Sequence, residues 1–338
     1  MIDIILLILL LSIFFISRIN DNDNIGDYLS VYNSILIKGF LSLSVLFGHL
    51  SYFFKDSNLL MIFQILGRTS VGIFFFLSSY GLTKQYITKE NYHVHFLSKR
   101  FAKVLIPYLV LSFIYWLYYA VQGNIYNISE IISLLLVGEP LVSYSWYIID
   151  ILVLYFFFYI FMIVSKSNKK LFLLLNTIVA LLLAVVLKSL NFGMFWYSSL
   201  HMYLIGIVYA LYQKKMDDFT YKNRFLLFIS SIIIIILTII NGDSDIHISI
   251  IQVAYLILII FLLQNFNIKN TTLSFLGKIS MEIYMVHGLI IKIYRYYISD
   301  NSSATDLLAI LFLTIIISLI FNKLFNSKFI IKNQNNFN

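Results

Sequence analysis

Long apolar stretches separated by short polar breaks run the whole length of the chain, and the length of the stretches decides what they are. A helix needs ~20 mostly apolar residues to cross a bilayer. Eleven segments approach that length: 2–17, 33–54, 61–82, 104–121, 146–165, 171–190, 196–213, 225–241, 249–265, 275–297 and 306–325. The longest break, about 122–145, is too short to bury a core of its own. There is no internal repeat and no Gly/Ser linker. The pattern predicts an all-α, polytopic membrane helix bundle of about eleven transmembrane helices. Segment 2–17 is the shortest. Asp3 stands where a cleaved signal would carry basic residues, and no small-residue cleavage pattern precedes Arg18, so a retained anchor is expected. The division that follows is an anchor and cytoplasmic linker over 1–30, one membrane domain over 31–328, and a polar cytoplasmic tail over 329–338.

Composition agrees with the pattern. Of 338 residues 60% are hydrophobic and 12% charged, with a mean hydropathy of +0.89. Soluble proteins carry about 25% charged residues, so too little charge is present to solvate a surface of this size. The 31 Phe and 25 Tyr suit long helices with aromatic girdles. The net charge of +8 is spread over many short breaks, which points to topological anchoring and away from nucleic acid. Suppose the breaks around 18–34, 83–103, 166–170, 213–224 and 266–274 and the C-terminus face the cytoplasm. Then all but Lys55, Arg68, Lys188, Lys292 and Arg295 of the 24 basic residues lie on that side. This predicts a multi-pass cell-membrane protein with its N-terminus outside and its C-terminus in the cytoplasm. Cysteine is absent, which excludes disulfides, thiolate metal sites and a cysteine nucleophile. No phosphate-cradling Gly-rich loop, HExxH pair or GxSxG elbow is present.

Ionisable residues inside apolar segments are costly and usually face the bundle interior or a wet cavity. Lys38 and His49 are eleven residues apart in the second segment, close to three turns, so they share one helix face about 16 Å apart. The residues alone leave two readings open: a functional pair, or a snorkelling lysine beside a histidine bonded between helices. In the third segment small residues at 67, 72, 78, 79 and 81 allow tight packing, the commoner explanation, or an open backbone beside a substrate. Arg100 and Lys103 are neighbours on a helix entering the membrane. They suit lipid headgroups or the phosphates of a soluble donor. His93 and His95 in the same break lack a carboxylate or cysteine nearby and read as solvated, with no metal site expected. Trp146 and Asp150 lie one turn apart, and Asp150 within an apolar segment needs a partner. Late in the chain Tyr284 and His287 share a face, and Lys278 can pair with Glu282 at i,i+4.

Taken in order, these segments resemble the membrane-bound acyltransferase-3 family, whose members O-acylate cell-envelope carbohydrates. The Arg/Lys, ten residues, His opening is matched by Lys38 and His49. Gly67 to Ser79 match the Gly-Val and Phe-Phe-x-Leu-Ser stretch, and Arg100, Lys103 and Pro107 match the basic helix entry. Trp146 and Tyr147 match the aromatic span start, and Ser280, Tyr284 and His287 the last helix. The resemblance covers about 33–325. Tyr80 departs from it where the family has glycine, and Lys103 replaces an arginine, which weakens bidentate phosphate recognition. The first segment lies outside the family's ten-helix core, and no counterpart of the hydrolase-like domain of some members is present in these residues.

What the resemblance implies is an O-acyltransferase moving an acyl group, commonly acetyl, from cytoplasmic acetyl-CoA to a carbohydrate acceptor at the cell surface. His49 becomes the base that activates a sugar hydroxyl, with Lys38 as a second catalytic residue. Arg100 and Lys103 are expected to bind coenzyme A phosphates. Ser78, Ser79, Trp146, Asp150, Tyr284 and His287 are expected to contact substrate. Direct transfer and a covalent acyl intermediate on His49, Ser78 or Ser79 both stay open. The competing functions are a transporter or flippase of lipid-linked sugars, which would show inverted repeats and broken helices, neither evident in the sequence, and a glycan polymerase with a larger basic outer loop, where 122–145 is short and carries Glu130 and Glu139.

Overall fold

The computed structural model describes residues 2–15, 18–21, 28–241, 244–299 and 301–326. In chain order the elements are α1 (Ile2–Phe15), β1 (Arg18–Asp21), α2 (Val31–Leu50), α3 (Asn58–Thr88), α4 (Phe96–Val121), α5 (Ile128–Leu136), α6 (Trp146–Ser165) and α7 (Lys169–Ser189). A 3-10 turn, Met194–Trp196, leads into α8 (Leu200–Leu211), α9 (Gln213–Lys222), α10 (Arg224–Asn241) and α11 (Asp245–Asn265). The chain then forms β2 (Phe266–Lys269), α12 (Thr271–Lys278), α13 (Ser280–Tyr297) and α14 (Ala304–Asn326). The predicted tail at 329–338 lies outside the described residues.

Among the described residues, eight helical segments are long and apolar enough to span a membrane, and two bent pairs bring the number to ten. The pairs are α9 with α10, broken by 81°, and α12 with α13, broken by 72°. Helix α1 has 14 residues, about 21 Å, which is short of the ~30 Å hydrocarbon core. The described part of the polytopic bundle therefore holds eight to ten candidate spans plus a short apolar helix. One small feature is not helical: β1 pairs antiparallel with β2, Arg18 opposite Lys269. The stretch read as a linker is thus hydrogen-bonded to the core, and Asn270 Nδ2 also donates to the Ile13 carbonyl at 2.7 Å.

Helix starts follow their local chemistry. Ser30, Ser57 and Asn270 accept from the backbone N–H three residues on and cap α2, α3 and α12. Within α4, Pro107 takes away the donor that would reach the Lys103 carbonyl. The packing at the centre of the bundle depends on residues without side chains. A Cβ on Gly39 would lie 2.1 Å from the Leu273 carbonyl oxygen, and one on Gly277 would lie 1.9 Å from that of Ile35, so α2 and α12 cross backbone to backbone. Gly48 and Gly67 bring α2 against α3 in the same way, and Gly206 of α8 meets Ser79 of α3. Where the chain enters α2, the Tyr28 hydroxyl bonds to Tyr209 and to Asp217 on α9.

Candidate active site

Two of the cavities among the described residues carry the candidate chemistry, one at the Lys38 end and one at the His49 end. The first, about 460 Å³, is lined by Lys38 of α2, Ser78 and Gly81 of α3, Arg100 and Lys103 of α4, Tyr147 and Tyr155 of α6, and Glu282 and Tyr284 of α13. A second space of about 460 Å³ adjoins it and shares Arg100, Lys103 and Glu282; Lys89, His95 and Lys99 also line it. Four cations thus face two carboxylates, Glu90 and Glu282, around that mouth. Arg100 Nη2 donates to the Tyr92 hydroxyl at 3.0 Å, which aims the guanidinium. The half-buried Lys38 is the innermost cation on this side. Glu282 accepts from Asn322 Nδ2 at 2.9 Å. The expected Lys278–Glu282 helical pair does not form an i,i+4 unit, because the 72° break between α12 and α13 lies between them.

The third segment divides its small residues between both uses. Gly67 and Gly72 pack, the latter against Gln252 of α11. Ser79 is fully buried, donates to the Phe76 carbonyl and faces Gly206, so this residue, expected to contact substrate, holds α3 against α8 instead. A Cβ on Gly81 would meet nothing, and Ser78 Oγ lies 2.7 Å from the Tyr155 hydroxyl inside the first cavity.

The cavity at the other end, about 530 Å³, is lined by His49, Tyr52, Gln64, Arg68, Glu139, Ser143, Tyr144, Trp146 and Tyr284. His49 occupies the last turn of α2, which ends at Leu50. It is nevertheless sunk within the bundle. At its level Gly67 touches Gly48, and α3 continues outward from there to Asn58 for about 14 Å. Helix α13 continues from His287 to Tyr297 for about 15 Å. The early end of α2 is what opens space above the imidazole.

His49 lies in a set of three nearly parallel rings. Its centroid is 3.7 Å from that of Tyr144 and 5.0 Å from that of His287, and Tyr144 and His287 are 5.4 Å apart. His287 is fully buried and its Nδ1 lies 3.1 Å from the Ile283 carbonyl oxygen. A carbonyl can only accept, so that nitrogen carries the proton and Nε2 holds the lone pair. Neither His287 Nε2 nor His49 Nδ1 has a hydrogen-bond partner. Such a pair of rings can take up and hand on a proton.

Tyr284 lines both cavities and stands between them. Its hydroxyl donates to the Tyr144 carbonyl at 2.7 Å. The first turn of α6 completes the partition: Trp146 faces the His49 cavity and the next residue, Tyr147, the Lys38 cavity. Asp150 is buried, its Oδ2 has no partner, and it lines neither cavity. Its expected contact with substrate therefore has no surface to act through here. Nothing in the sequence singles out Tyr144, Tyr155 or Arg68 as site residues. Tyrosines are abundant in this chain, and only the tertiary contact separates these from interface anchors.

The model of the acyltransferase-3 family, described as an acyltransferase domain, matches residues 31–323. No curated protein and no solved structure matches the chain. The matched region runs from the first residue of α2 into α14, so it takes in the candidate spans and both cavities and leaves out α1 and β1. Over those residues the chain belongs to the acyltransferase-3 family and is a membrane acyltransferase.

Proposed function

We propose that this acyltransferase moves an acetyl group from cytoplasmic acetyl-CoA to a hydroxyl of a cell-surface or secreted polysaccharide, or of its lipid-linked precursor. The observation that carries the reading is the pairing of a cation-rich cavity with a histidine-bearing one, divided by the single shared side chain Tyr284. Coenzyme A is a polyanion with a long flexible arm. Arg100 and Lys103 at the mouth suit its phosphates through charge-assisted hydrogen bonds, and Lys38 neutralises charge further in. The arm runs toward Tyr284, and the thioester passes beside that side chain to meet His49. The acceptor enters from the opposite end, against Trp146, Tyr284 and the face carrying His287.

His49 takes the proton of the acceptor hydroxyl as the oxygen attacks the thioester carbonyl. The carbon–sulfur bond breaks, the thiolate leaves, and the proton passes from the imidazolium to that thiolate. An ester and free coenzyme A result. His287, whose ring centroid lies 5.0 Å from that of His49 and whose Nε2 has no hydrogen-bond partner, is placed to share the proton. The test is mass analysis of envelope glycans from cells carrying the wild-type chain or His49→Ala. We expect acetyl esters with the first and their loss with the second while the protein remains in the membrane. Esters at the wild-type level with His49→Ala would overturn the reading.

A further inference from the structure

A catalytic histidine is usually aimed by a hydrogen bond to the nitrogen that does not react. His49 lacks one: its Nδ1 is buried and has no partner. Something else must hold the ring. The closest neighbouring ring is that of Tyr144, stacked at 3.7 Å and inclined by 26°.

Several independent features fix that tyrosine in place. Its φ is +64°, the left-handed region that a bulky side chain rarely adopts, and such a conformation persists only when its surroundings impose it. The surroundings do so. The Tyr284 hydroxyl donates to the Tyr144 carbonyl at 2.7 Å, which pins the backbone to α13. On that same helix Gly288 leaves a gap: a Cβ there would meet Tyr144 Cδ2 at 3.0 Å, the Tyr115 hydroxyl at 2.8 Å and Ser143 Cβ at 3.3 Å. The ring thus fits between a missing side chain on α13 and the imidazole on α2, with His287 near-parallel at 5.4 Å and 9°.

We infer that Tyr144 is a positioning residue, a plate that fixes the His49 imidazole by stacking where other sites use a hydrogen bond, with Tyr284 and Gly288 setting the plate. The inference rests on the reading of His49 as the base. The ring, and not the hydroxyl, is the working part, because stacking needs the aromatic face.

The experiment is steady-state kinetics of acetyl transfer with the purified full-length protein in lipid, comparing Tyr144→Phe, Tyr144→Leu and Gly288→Ala, with acetyl-CoA binding measured separately. A displaced reacting group can cost about 100-fold. We expect kcat to fall by that order in Tyr144→Leu and Gly288→Ala, the KM for acetyl-CoA and its binding to stay near wild type, and Tyr144→Phe to recover most of the rate. Gly288→Ala leaves Tyr144 chemically intact, so its loss of rate reports the ring's place and not its presence. Wild-type kcat in Tyr144→Leu would overturn the inference. So would a loss in Tyr144→Phe equal to that in Tyr144→Leu, which would transfer the role to the hydroxyl. Loss of acetyl-CoA binding in step with kcat would mark a general structural role and overturn it too. Activity surviving in His49→Ala is a separate result that removes the base reading itself.

Discussion

Charge at the mouth of the Lys38 cavity separates two kinds of cation. Arg100 is held by Tyr92 and presents a planar fork, whereas Lys103 is exposed and carries a point charge. Hydrogen bonds to a charged partner contribute about 1.5–3 kcal/mol, and 1.4 kcal/mol is about a tenfold change in affinity. Arg100→Ala should therefore raise the KM for acetyl-CoA by roughly ten- to a hundredfold with little change in kcat. Lys103→Ala should do less, and Arg100→Lys should recover only part. Equal, small effects of all three on KM would show that the phosphates lie elsewhere. Single residues differ in how far the sequence exposes them. Lys38 and His49 are legible because eleven residues on a helix fix both face and distance, and an ionisable group in an apolar run stands out. Ser78 and Ser79 are adjacent and chemically the same, yet 100° of helix rotation sends one into the cavity and the other against Gly206. Tyr144 was hidden altogether, since neither its backbone angle nor its ring partner is a local property.

Helix contacts in this bundle explain why the site can be held so closely. Lipid gives helices no hydrophobic reason to associate, so close van der Waals approach matters more. The α2–α12 crossing is the extreme case, with Gly39 and Gly277 each against a backbone carbonyl. A methyl group at Gly277 meets the Ile35 oxygen at 1.9 Å, an atom that cannot rotate away. Gly277→Ala should separate the helices and cost about 1–3 kcal/mol or more, in line with other overpacked sites. Thermal unfolding in detergent checks this against Gly81→Ala, whose added methyl meets nothing. A melting temperature for Gly277→Ala as high as that of Gly81→Ala would contradict the crossing. Span positions were readable because a bilayer demands long apolar runs. The breaks were not. Segment 275–297 reads as one helix, and nothing apolar or polar in it announces a 72° turn at Ile279. Helices α5 and α9 fell within stretches read as loops, being short and amphipathic. The β1–β2 pairing joins residues some 250 positions apart, beyond any local pattern.

At the scale of the whole molecule the proposed function assigns the two cavities to opposite sides of the membrane, and that assignment can be measured. The Lys38 cavity shares its end of the bundle with Lys89, Lys99, Arg100 and Lys103, and the His49 cavity shares its end with Glu139. On the function proposed above, the bias of basic residues toward cytoplasmic loops would put the first end in the cytoplasm, on the side of an acyl-CoA donor, and the second outside, on the side of a glycan acceptor. The chain contains no cysteine, so a single introduced thiol reports its own side without background. Lys99 and Glu139 are both exposed and lie on the two opposed rims. In sealed right-side-out vesicles a membrane-impermeant maleimide should label Glu139→Cys at once and Lys99→Cys only after the vesicles are opened. The reverse pattern would place the basic cavity outside. A charged thioester could not then reach it without first crossing the bilayer, and the transfer would have to draw on a donor of different chemistry.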